Sequence, residues 1–449
     1  MPPTPRRADQ FRYEGFEIDE SRGVVQCTYA TAGHRFTEQF EFGPAGHWDD
    51  PAVGQAIRLL YLLAAVSYYK TTAALHIDLG NTPTTGAERA FLRQYYLEGL
   101  GEFAYRNGLE LSDLTIDGPE AEPAPASYQP RPMTPLIPFG GGIDSIVTVE
   151  SIRANGPEPT LFVLHPPDQR FAAIEEPAAV TGLPVVRVAR QLDAAVRQSE
   201  DHGFFNGHIP VTAVVTAAAV VAAVLGGHDA VVMSNEWSAS VPTLVNQGRA
   251  VNHQWSKGEE FEVALAAEVA ATLGSGLSVF SYLRPRSELW VAEQFAQLAP
   301  FHRVFRSCNR AFHQDVAQRL GQWCGLCDKC CFIDLILAPF MPAADLAAVF
   351  DDREPLANPE NLPRFAALVG VDREAKPFEC VGDVNECRSA LSLTAERDDR
   401  RRNELIGQLR DLVANASRPD ASPSDLLAPI GPHYIPKRYA PRDLLARSG

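Results

Sequence analysis

The segment that decides the fold is Gly140-Gly141-Gly142-Ile143-Asp144-Ser145. The apolar run Leu136-Ile137-Pro138-Phe139 precedes it, and a helical stretch begins near Ile146. A helix N-terminus carries unpaired N–H groups and the positive end of the helix dipole, so it suits a phosphate group. Glycines have no Cβ and let the backbone approach such an anion closely. The strand–turn–helix pattern therefore predicts a nucleotide-binding turn.

Two common nucleotide motifs fit this turn poorly. The P-loop requires a lysine after its glycines, and none follows here. The Rossmann fingerprint has a third glycine where this chain has Ser145, and it needs an acidic residue at the end of the next strand. That strand, 160–164, continues into His165-Pro166-Pro167 instead. A glycine-rich turn without a ligand is the structural alternative.

The turn resembles the S-G-G-x-D-S signature of the PP-loop ATP pyrophosphatases, with Gly140 in place of the first serine. Those enzymes cleave ATP between the α and β phosphates, transfer AMP to a substrate oxygen and release pyrophosphate. The resemblance implies that the turn and Ser145 hold pyrophosphate and that Asp144 positions the turn or a magnesium ion. The nucleotide-binding positions it implies are Phe139, Gly140, Gly141, Gly142, Asp144, Ser145 and His165.

Composition excludes several classes of protein. The 449-residue chain carries a formal net charge of −16, which argues against extensive nucleic-acid binding because phosphates require basic surfaces. A small anionic substrate needs only a local basic cluster. The sequence has no run of about 18 apolar residues and no apolar N-terminal segment, so we expect neither a membrane span nor a signal peptide. We expect a cytoplasmic protein with reduced cysteines.

The chain is long for one domain and divides into three predicted units. Residues 1–130 form a small α+β domain with a Pro-rich linker, residues 131–305 a nucleotide-binding α/β domain, and residues 306–449 a cysteine-rich helical region.

Residue patterns give the secondary structure of the outer units. In the first unit, alternating aromatic and polar residues predict antiparallel strands within 11–43. Helices are expected at 50–79 and 86–107, and a charged helix at 395–414 in the third unit.

Strands and helices alternate in the second unit. Strands are predicted at 135–139, 160–165, 184–189, 229–234 and 277–282. Helices are predicted at 145–154, 171–181, 210–226, 259–273 and 287–298. This alternation predicts a doubly wound parallel sheet, in which functional residues gather at the C-terminal ends of the strands.

Four cysteines have the spacing of a metal site. Cys324, Cys327 and Cys330 form C-x2-C-x2-C, and Ser307-Cys308 lies sixteen residues upstream of Cys324. Four thiolates complete a closed tetrahedral zinc site, whereas reduced, unliganded cysteines are the alternative. The pattern resembles the zinc site of the 7-cyano-7-deazaguanine synthase branch of the PP-loop enzymes. Cys331 is expected in the core.

Six segments in this order resemble the UDP-N-acetylmuramoyl-L-alanyl-L-glutamate epimerase (MurL) family. That family inverts the terminal L-glutamate of a peptidoglycan precursor and converts ATP to AMP and pyrophosphate with magnesium. The resemblance thus implies ATP, Mg²⁺ and a UDP-muramoyl dipeptide substrate. Besides the glycine turn, the segments are Ser67-Tyr68-Tyr69-Lys70-Thr71, Ser234-Asn235-Glu236-Trp237-Ser238, Asn252-His253-Gln254-Trp255-Ser256-Lys257, Trp323-Cys324-Gly325-Leu326-Cys327-Asp328-Lys329-Cys330 and Lys376-Pro377-Phe378-Glu379-Cys380-Val381-Gly382.

A PP-loop suits this inversion chemically. Removing a Cα proton beside a free carboxylate would create a dianion, and transfer of AMP to that carboxylate cancels its charge. Each pKa unit of acidity gained at Cα corresponds to roughly 1.4 kcal/mol. Hydrolysis of the adenylate after reprotonation gives the D product.

Candidate site residues follow from these segments, and each has a structural alternative such as packing or a salt bridge. The proton base stays unassigned, because core packing is favoured for Cys380 and Cys387. The catalytic candidates are Asp144, Ser145, Glu236, His253 and Lys257. The substrate-binding candidates are Tyr69, Lys70, Trp237, Trp255, Arg284 and Arg286.

Two other functions share the same sequence features. One is a PP-loop ligase or nitrile- or amide-forming synthase, in which an amine or ammonia captures the adenylate. The other is a zinc-stabilised nucleotide-binding or scaffold module with a degenerate turn, because Gly140 lacks the serine hydroxyl.

Overall fold

The computed structural model describes residues 4–122, 126–313, 315–371, 377–416 and 422–445. Within these ranges, ten strands form one mixed, mostly parallel sheet and two form a small hairpin. The strands are β1 (Gln10–Asp19), β2 (Val24–Thr31), β3 (His34–Glu41), β4 (His76–Asp78), β5 (Thr115–Asp117), β6 (Pro135–Pro138), β7 (Thr160–His165), β8 (Val185–Gln191), β9 (Ala230–Met233), β10 (Leu244–Asn246), β11 (Arg249–Val251) and β12 (Ser278–Ser281).

The helices are arranged around this sheet. They are α1 (Pro51–Ala64), α2 (Val66–Tyr69), α3 (Gly86–Gly99), α4 (Gly101–Asn107), α5 (Ile143–Ala154), α6 (Ala172–Thr181), α7 (Ala194–Arg197), α8 (Ser199–His202), α9 (Val211–Gly226), α10 (Glu259–Leu273), α11 (Glu288–Phe295), α12 (Asp328–Leu337), α13 (Ala343–Val349), α14 (Leu362–Leu368), α15 (Val384–Glu396), α16 (Glu404–Ala414), α17 (Pro423–Leu427) and α18 (Arg442–Leu445).

The strand order places the glycine turn at a reversal of the chain's path. The order is β12-β9-β6-β7-β8-β3-β2-β1-β4-β5, and β12 to β8 are mutually parallel. The chain runs outward from β6 to β8 and then returns to β9 on the other side of β6. In a parallel sheet, ligands bind outside the carboxyl ends of the strands at such a point. The five predicted strands and the parallel sheet are confirmed.

Helices cover both faces of the parallel strands. Leu136 belongs to a buried cluster that includes side chains of α1, α9 and α10, and its neighbour Ile137 belongs to a second cluster with side chains of α5 and α11. Successive residues of a strand point to opposite faces, so the sheet lies between two apolar layers. This is the α/β architecture that the alternating pattern predicted.

The N-terminal strands extend the same sheet. The predicted antiparallel strands are present as β1, β2 and β3, and β3 pairs antiparallel with β8. Across this junction the guanidinium of Arg190 donates to the buried carboxylate of Glu38, with an N–O distance of 2.5 Å. The proposed division near residue 130 stays a prediction, because the sheet continues from one unit into the other.

Two helix predictions in the first unit are wrong in their bounds. The helix expected at 50–79 begins as predicted after the N-cap Asp50, but it ends at Tyr69. Ala73 then takes a positive φ of 43°, and the following residues form β4 beside β1. The helix expected at 86–107 is divided into α3 and α4 at Leu100, which leaves the helical conformation between two glycines.

The charged helix expected at 395–414 is also wrong. Helix α15 ends at Glu396, and α16 begins only at Glu404. Asn403 stops a continuous helix because its side chain accepts a hydrogen bond from the Ile406 N–H and so caps a new one. Between the two helices, Arg400 is buried and pairs with Glu354 at 2.5 Å.

One helical segment, Pro51–Tyr69, meets the length and composition test for a membrane span within the described ranges. Of its most apolar window, 83% is buried inside the protein. Its side chains belong to the same apolar cluster as those of α9, which α1 contacts along its length. The segment is therefore accounted for as a core helix.

Candidate active site

The glycine turn is held in one conformation by its neighbours. Gly141 has a φ of +74°, and a Cβ at this position would lie 2.1 Å from the carbonyl oxygen of Ala173. Only glycine fits such a position. At the adjacent Gly140 a Cβ would meet nothing within 4 Å, so the surface of the turn is open there. The turn thus presents bare backbone at the C-terminal end of β6.

The first amides of α5 are available to an anion. Gly142 is the N-cap residue, and no side chain of the described residues caps the helix. The hydroxyl of Ser145 donates to the Gly142 carbonyl at 3.0 Å and is almost fully buried. Ser145 therefore braces the turn in this structure, and its role in holding pyrophosphate stays a prediction.

The other predicted nucleotide-binding residues lie on the same sheet edge. Phe139 continues β6, and its N–H donates to the Phe162 carbonyl of β7 at 2.8 Å. His165 is the last residue of β7, where its Nδ1 lies 2.8 Å from the Pro166 carbonyl oxygen. Both positions remain predictions as contacts of a nucleotide.

Four helix N-termini carry charged side chains that act on one another. Asp144 lies in the first turn of α5, Glu288 in that of α11, Lys329 in that of α12 and Glu386 in that of α15. Glu236, which follows β9, completes the group. Each of these charges contributes to the electrostatic environment of Glu288. We call the four acids the carboxylate cluster.

Burial and the charges of neighbouring acids disfavour ionisation of Asp144, Glu288 and Glu386. Burial, together with the charge of Glu236, raises the pKa of Asp144 to about 6. Burial raises the pKa of Glu386 to about 7 and that of Glu288 well above its usual value. Asp144 Oδ1 and Glu288 Oε2 are buried and find no hydrogen-bond donor in the described part of the chain. The cluster therefore has oxygen atoms to offer to a cation or a proton.

Arg284 builds the framework of this pocket. Its guanidinium is 1% exposed and donates to both Glu262 and the main-chain carbonyls of Glu236 and Lys257. The two carbonyl contacts measure 2.7 and 2.5 Å. Arg284 thus holds together the two loops that bear Glu236 and Lys257. Its donors are directed at protein atoms, and its role in substrate binding stays a prediction.

A cysteine, a histidine and a glutamate lie in line beside the carboxylate cluster. Lys257 Nζ donates to Cys380 Sγ at 3.3 Å, and the charge of His253 also stabilises the thiolate form of that sulfur. The other side of that ring meets Glu102, with 2.5 Å between His253 Nδ1 and Glu102 Oε2. The ring of His208 lies against His253, with centroids 4.1 Å apart. We call Cys380, His253 and Glu102 the thiol relay.

The groups of the thiol relay have opposite pKa shifts. Burial alone would raise the pKa of Cys380, but the Lys257 ammonium and His253 lower it to about 6. Burial opposes the charge on His253, yet its bonds to Cys380 and Glu102 raise its pKa to about 9. Burial and the charge of His253 lower the pKa of His208 to about 4. These pKa values make Cys380 a thiolate and His253 an imidazolium at neutral pH.

Three other substrate-binding candidates have packing or structural contacts. Tyr69 is fully buried, and its hydroxyl donates to the Ala74 carbonyl at 2.9 Å. The indole N–H of Trp255 donates to Glu260 at 2.8 Å within the core. Both side chains are buried, and their contact with substrate stays a prediction. Trp237 is half-buried beside Gly431.

Lys70 and Arg286 both contact other side chains of the protein. Lys70 Nζ donates to Asn206 Oδ1 at 2.7 Å, and burial lowers its pKa to about 8. Arg286 pairs with Asp443 and lies over the ring of Trp290 at 4.4 Å. Substrate binding by these two residues stays a prediction.

The four predicted metal ligands come together. One sulfur atom from each of Cys308, Cys324, Cys327 and Cys330 lies within 4.8 Å of the others. The sulfurs of Cys324 and Cys327 are 3.7 and 3.4 Å from that of Cys330. This cluster could hold a metal ion. It also borders the glycine turn, because Ser307 Oγ lies 3.2 Å from the position of a Cβ on Gly142. Cys331 is buried in the core, as expected.

Several residues of this site were not selected from the sequence. Cys380 stood in one of the family-like segments, but core packing was favoured because it is far from the other cysteines. Lys329 also stood in such a segment, and the other residues carry no local signal and are brought together only by the fold. The missed residues are Glu102, His208, Glu288, Lys329, Cys380 and Glu386.

Fold and site together define an α/β protein whose glycine turn lies at the same sheet edge as buried carboxylates and a thiol that Lys257 contacts. Family comparison gives the particular family. Residues 3–282 match the family model described as MurL N-terminal domain, and residues 304–424 match the MurL C-terminal domain. The chain belongs to the MurL family.

Three curated relatives support this assignment, and each is named UDP-N-acetyl-alpha-D-muramoyl-L-alanyl-L-glutamate epimerase. The protein of a Micromonospora species is 40% identical over 97% of this chain and 98% of its own length. That of Salinispora tropica is 39% identical over 97% and 95%. That of Xanthomonas oryzae pv. oryzae is 37% identical over 95% of each chain. No solved structure matches. The chain is therefore an isomerase of the epimerase type.

Proposed function

We propose that this chain inverts the terminal L-glutamate of UDP-N-acetylmuramoyl-L-alanyl-L-glutamate to D-glutamate in peptidoglycan synthesis, through an acyl-adenylate formed from ATP. The names of its relatives support the substrate. The observation that supports the ATP-dependent step is the N-terminus of α5, which follows the glycine turn and is not capped by a side chain of the described residues. Asp144 lies in the first turn of this helix, where the charge of Lys257 acts on it.

The adenylate makes the inversion possible. The glutamate carboxylate beside Cα attacks the α-phosphorus of ATP, and pyrophosphate leaves. The amides at the start of α5 and the ammonium groups of Lys257 and Lys329 face the same pocket and offset the charge of the phosphates. The neutral acyl group then accepts the electron pair when Cα loses its proton. Water finally hydrolyses the adenylate to the D acid and AMP.

Asp144 and Glu236 are the residues that would hold a magnesium ion. Both are carboxylates, the ligand type that Mg²⁺ prefers, and the free Asp144 Oδ1 is an oxygen without a donor within the described ranges. When bound, the ion would neutralise charge on the transferring phosphates. This assignment gives Glu236 a role in metal binding and leaves the proton transfer to another group.

The cysteine cluster is proposed to hold zinc as a structural ion. Sulfurs 2.3 Å from a tetrahedral Zn²⁺ are about 3.8 Å apart, and the Cys324–Cys330 and Cys327–Cys330 sulfur separations, 3.7 and 3.4 Å, are close to that value. Four thiolates leave no open position for a substrate, so the ion would fix the segment that borders the glycine turn.

The proposal is tested by incubating the protein with ATP, magnesium and the UDP-muramoyl dipeptide in heavy water. We expect AMP and pyrophosphate, D-glutamate on chiral analysis, and one deuterium at Cα. A ligase or synthase would also release AMP and pyrophosphate, but it would leave Cα unlabelled. Asp144→Asn is expected to stop pyrophosphate release, whereas Asp113→Asn, at a half-exposed surface carboxylate, serves as the matched control. Absence of substrate-dependent pyrophosphate from the unaltered protein would refute the proposal.

A further inference from the structure

One step of the proposed reaction has no residue assigned to it. The glycine turn, the lysines and a magnesium ion account for transfer of AMP, but none of them removes the Cα proton. The thiol relay lies beside the loop of Glu236, a member of the carboxylate cluster, because Arg284 donates to the main-chain carbonyls of both Glu236 and Lys257, and Lys257 Nζ contacts Cys380 Sγ. It is a built arrangement rather than a single cysteine, because Lys257 Nζ donates to the sulfur at 3.3 Å and His253, whose charge favours the thiolate, is held by Glu102 at 2.5 Å.

Glu102 fixes the outer half of the relay. Its two carboxylate oxygens are used separately: Oε2 meets His253 at 2.5 Å, and Oε1 accepts from Arg106 at 2.6 Å. The Arg106 side chain is 53% exposed, so the line of contacts leads from the buried sulfur to solvent. A nucleophile or base, an imidazole and an orienting carboxylate form the arrangement by which enzymes activate a proton-transferring group.

We propose that Cys380 is the base that removes the Cα proton of the adenylated glutamate, and that His253 and Glu102 position and stabilise its thiolate. This inference rests on the proposed function and names the group that performs its second step. Cys380 is the catalytic residue in this assignment, because it is the group that contacts the reacting proton. His253 and Glu102 are positioning residues.

The proton and electron balance is complete. The sulfur takes the proton from Cα, and the C–H electron pair moves into the acyl carbonyl to give an enolate. A proton from solvent reaches Cα from the opposite face and restores the carbonyl with inverted configuration. When the product leaves, the thiol gives its proton to solvent water, and the Lys257 ammonium and the His253 imidazolium stabilise the thiolate that is restored. One proton is taken up and one is released per turnover.

The charges around the sulfur suit a base at neutral pH. Burial opposes the thiolate, but Lys257, His253 and Lys329 favour it. The resulting pKa of about 6 keeps the group deprotonated near pH 7 and still close enough to that pH to accept a proton. Acyl transfer from AMP to the sulfur is the competing role. It would add little, because the adenylate already supplies a neutral carbonyl.

The first experiment separates adenylation from proton transfer. In Cys380→Ala and Cys380→Ser, we expect pyrophosphate release with the UDP-muramoyl dipeptide to continue, while D-glutamate formation and deuterium uptake at Cα fall by about 10²–10⁴-fold, the range for a lost acid or base. Cys27→Ala, at a buried cysteine of β2, is the matched control and should retain both activities. Inversion at the normal rate in either Cys380 variant would overturn the inference, as would loss of pyrophosphate release in both.

The second experiment tests positioning by the relay. In the unaltered enzyme the rate of deuterium exchange at Cα should fall below pH 6, where the thiolate is protonated. In His253→Gln the acidic limb should move upward, toward the usual thiol value of about 8.5. Glu102→Gln should move it in the same direction by less, because the carboxylate acts through the imidazole. If the acidic limb of the pH profile lies at the same pH in both variants as in the unaltered enzyme, His253 and Glu102 do not control the pKa of Cys380.

Two further results would overturn the inference without touching the proposed function. Mass spectrometry that finds the glutamyl group bound to Cys380 during turnover would make the sulfur a nucleophile.

Glu102, His208 and His253 also place ligand atoms within 4.8 Å of one another. Metal analysis that finds an ion lost in His208→Ala would make these side chains a metal site. If the unaltered enzyme makes no pyrophosphate, the proposed function fails first.

Discussion

Replacing Gly141 by alanine gives the most direct test of the glycine turn. Gly141 combines a φ of +74° with a Cβ position 2.1 Å from the Ala173 carbonyl oxygen. The left-handed conformation costs about 1–2 kcal/mol for a residue with a Cβ. Contacts of a real Cβ below 3.0 Å essentially never occur, so the turn or the start of α6 must move by the difference between 2.1 and 3.0 Å, about 0.9 Å.

That displacement is large on the scale of catalysis. A misplacement of about 1 Å between reacting groups lowers a rate by roughly 10²-fold. We therefore expect Gly141→Ala to lower kcat/KM for ATP by at least about 100-fold, with substrate-dependent pyrophosphate release as the assay. The loss should exceed what instability explains, because strain of about 1–2 kcal/mol leaves a protein of this size folded.

Gly54→Ala, in α1 and away from the turn, is the matched control for this change. A Cβ at this exposed glycine meets no atom within 4 Å, so we expect a change of less than about 0.5 kcal/mol, or about two-fold in rate. Thermal melting of both variants shows whether either is unfolded. Normal pyrophosphate release by Gly141→Ala, or equal damage from both substitutions, would refute the reasoning that this turn seats the phosphates.

Three other predictions follow from the fold and the site. Cys324→Ser should reduce bound zinc below one ion per chain in elemental analysis and lower the melting temperature, and an unchanged metal content would contradict the zinc assignment. Arg284→Met should cost about 3–5 kcal/mol in denaturant unfolding because it leaves Glu262 as a buried unpaired charge, and a change below about 1 kcal/mol would contradict the framework role. Epimerase activity should be bell-shaped in pH, with limbs near 6 and 9 from the coupled pair of Cys380 and His253. The sign differs for the two groups: the depressed pKa of the thiol contributes stability that is lost as pH falls through 6, and the raised pKa of the imidazole contributes stability that is lost as pH rises through 9.

Local patterns predicted most of the parallel sheet. Alternating strands and helices gave all five strands of the second unit within a few residues, because both their apolar runs and their turns are local in sequence. The glycine turn was placed between the correct strand and helix for the same reason. Helix ends were less predictable, as at Tyr69, where the chain leaves the helix to pair β4 with β1. Pairing between distant strands has no local signal.

The thiol relay shows what local patterns cannot give. Cys380 lies 50 residues beyond Cys330, so its spacing suggested an isolated core cysteine. Glu102 lies on α4 within the first unit and meets His253 only because α4 packs beside the hairpin strand β11. The reactivity of the thiol depends on these partners, which only the three-dimensional arrangement identifies.

The continuous sheet has a consequence for how the protein can be divided. Its N-terminal unit contributes Glu102, the central domain contributes His253, and the last third of the chain contributes Cys380. A fragment that ends before the cysteine would keep the glycine turn and yet lack the means to invert a stereocentre. Truncated, split or tagged variants should therefore be assayed by the chirality of the product. Nucleotide turnover alone would not detect a variant that forms the adenylate but lacks Cys380 in its place beside His253.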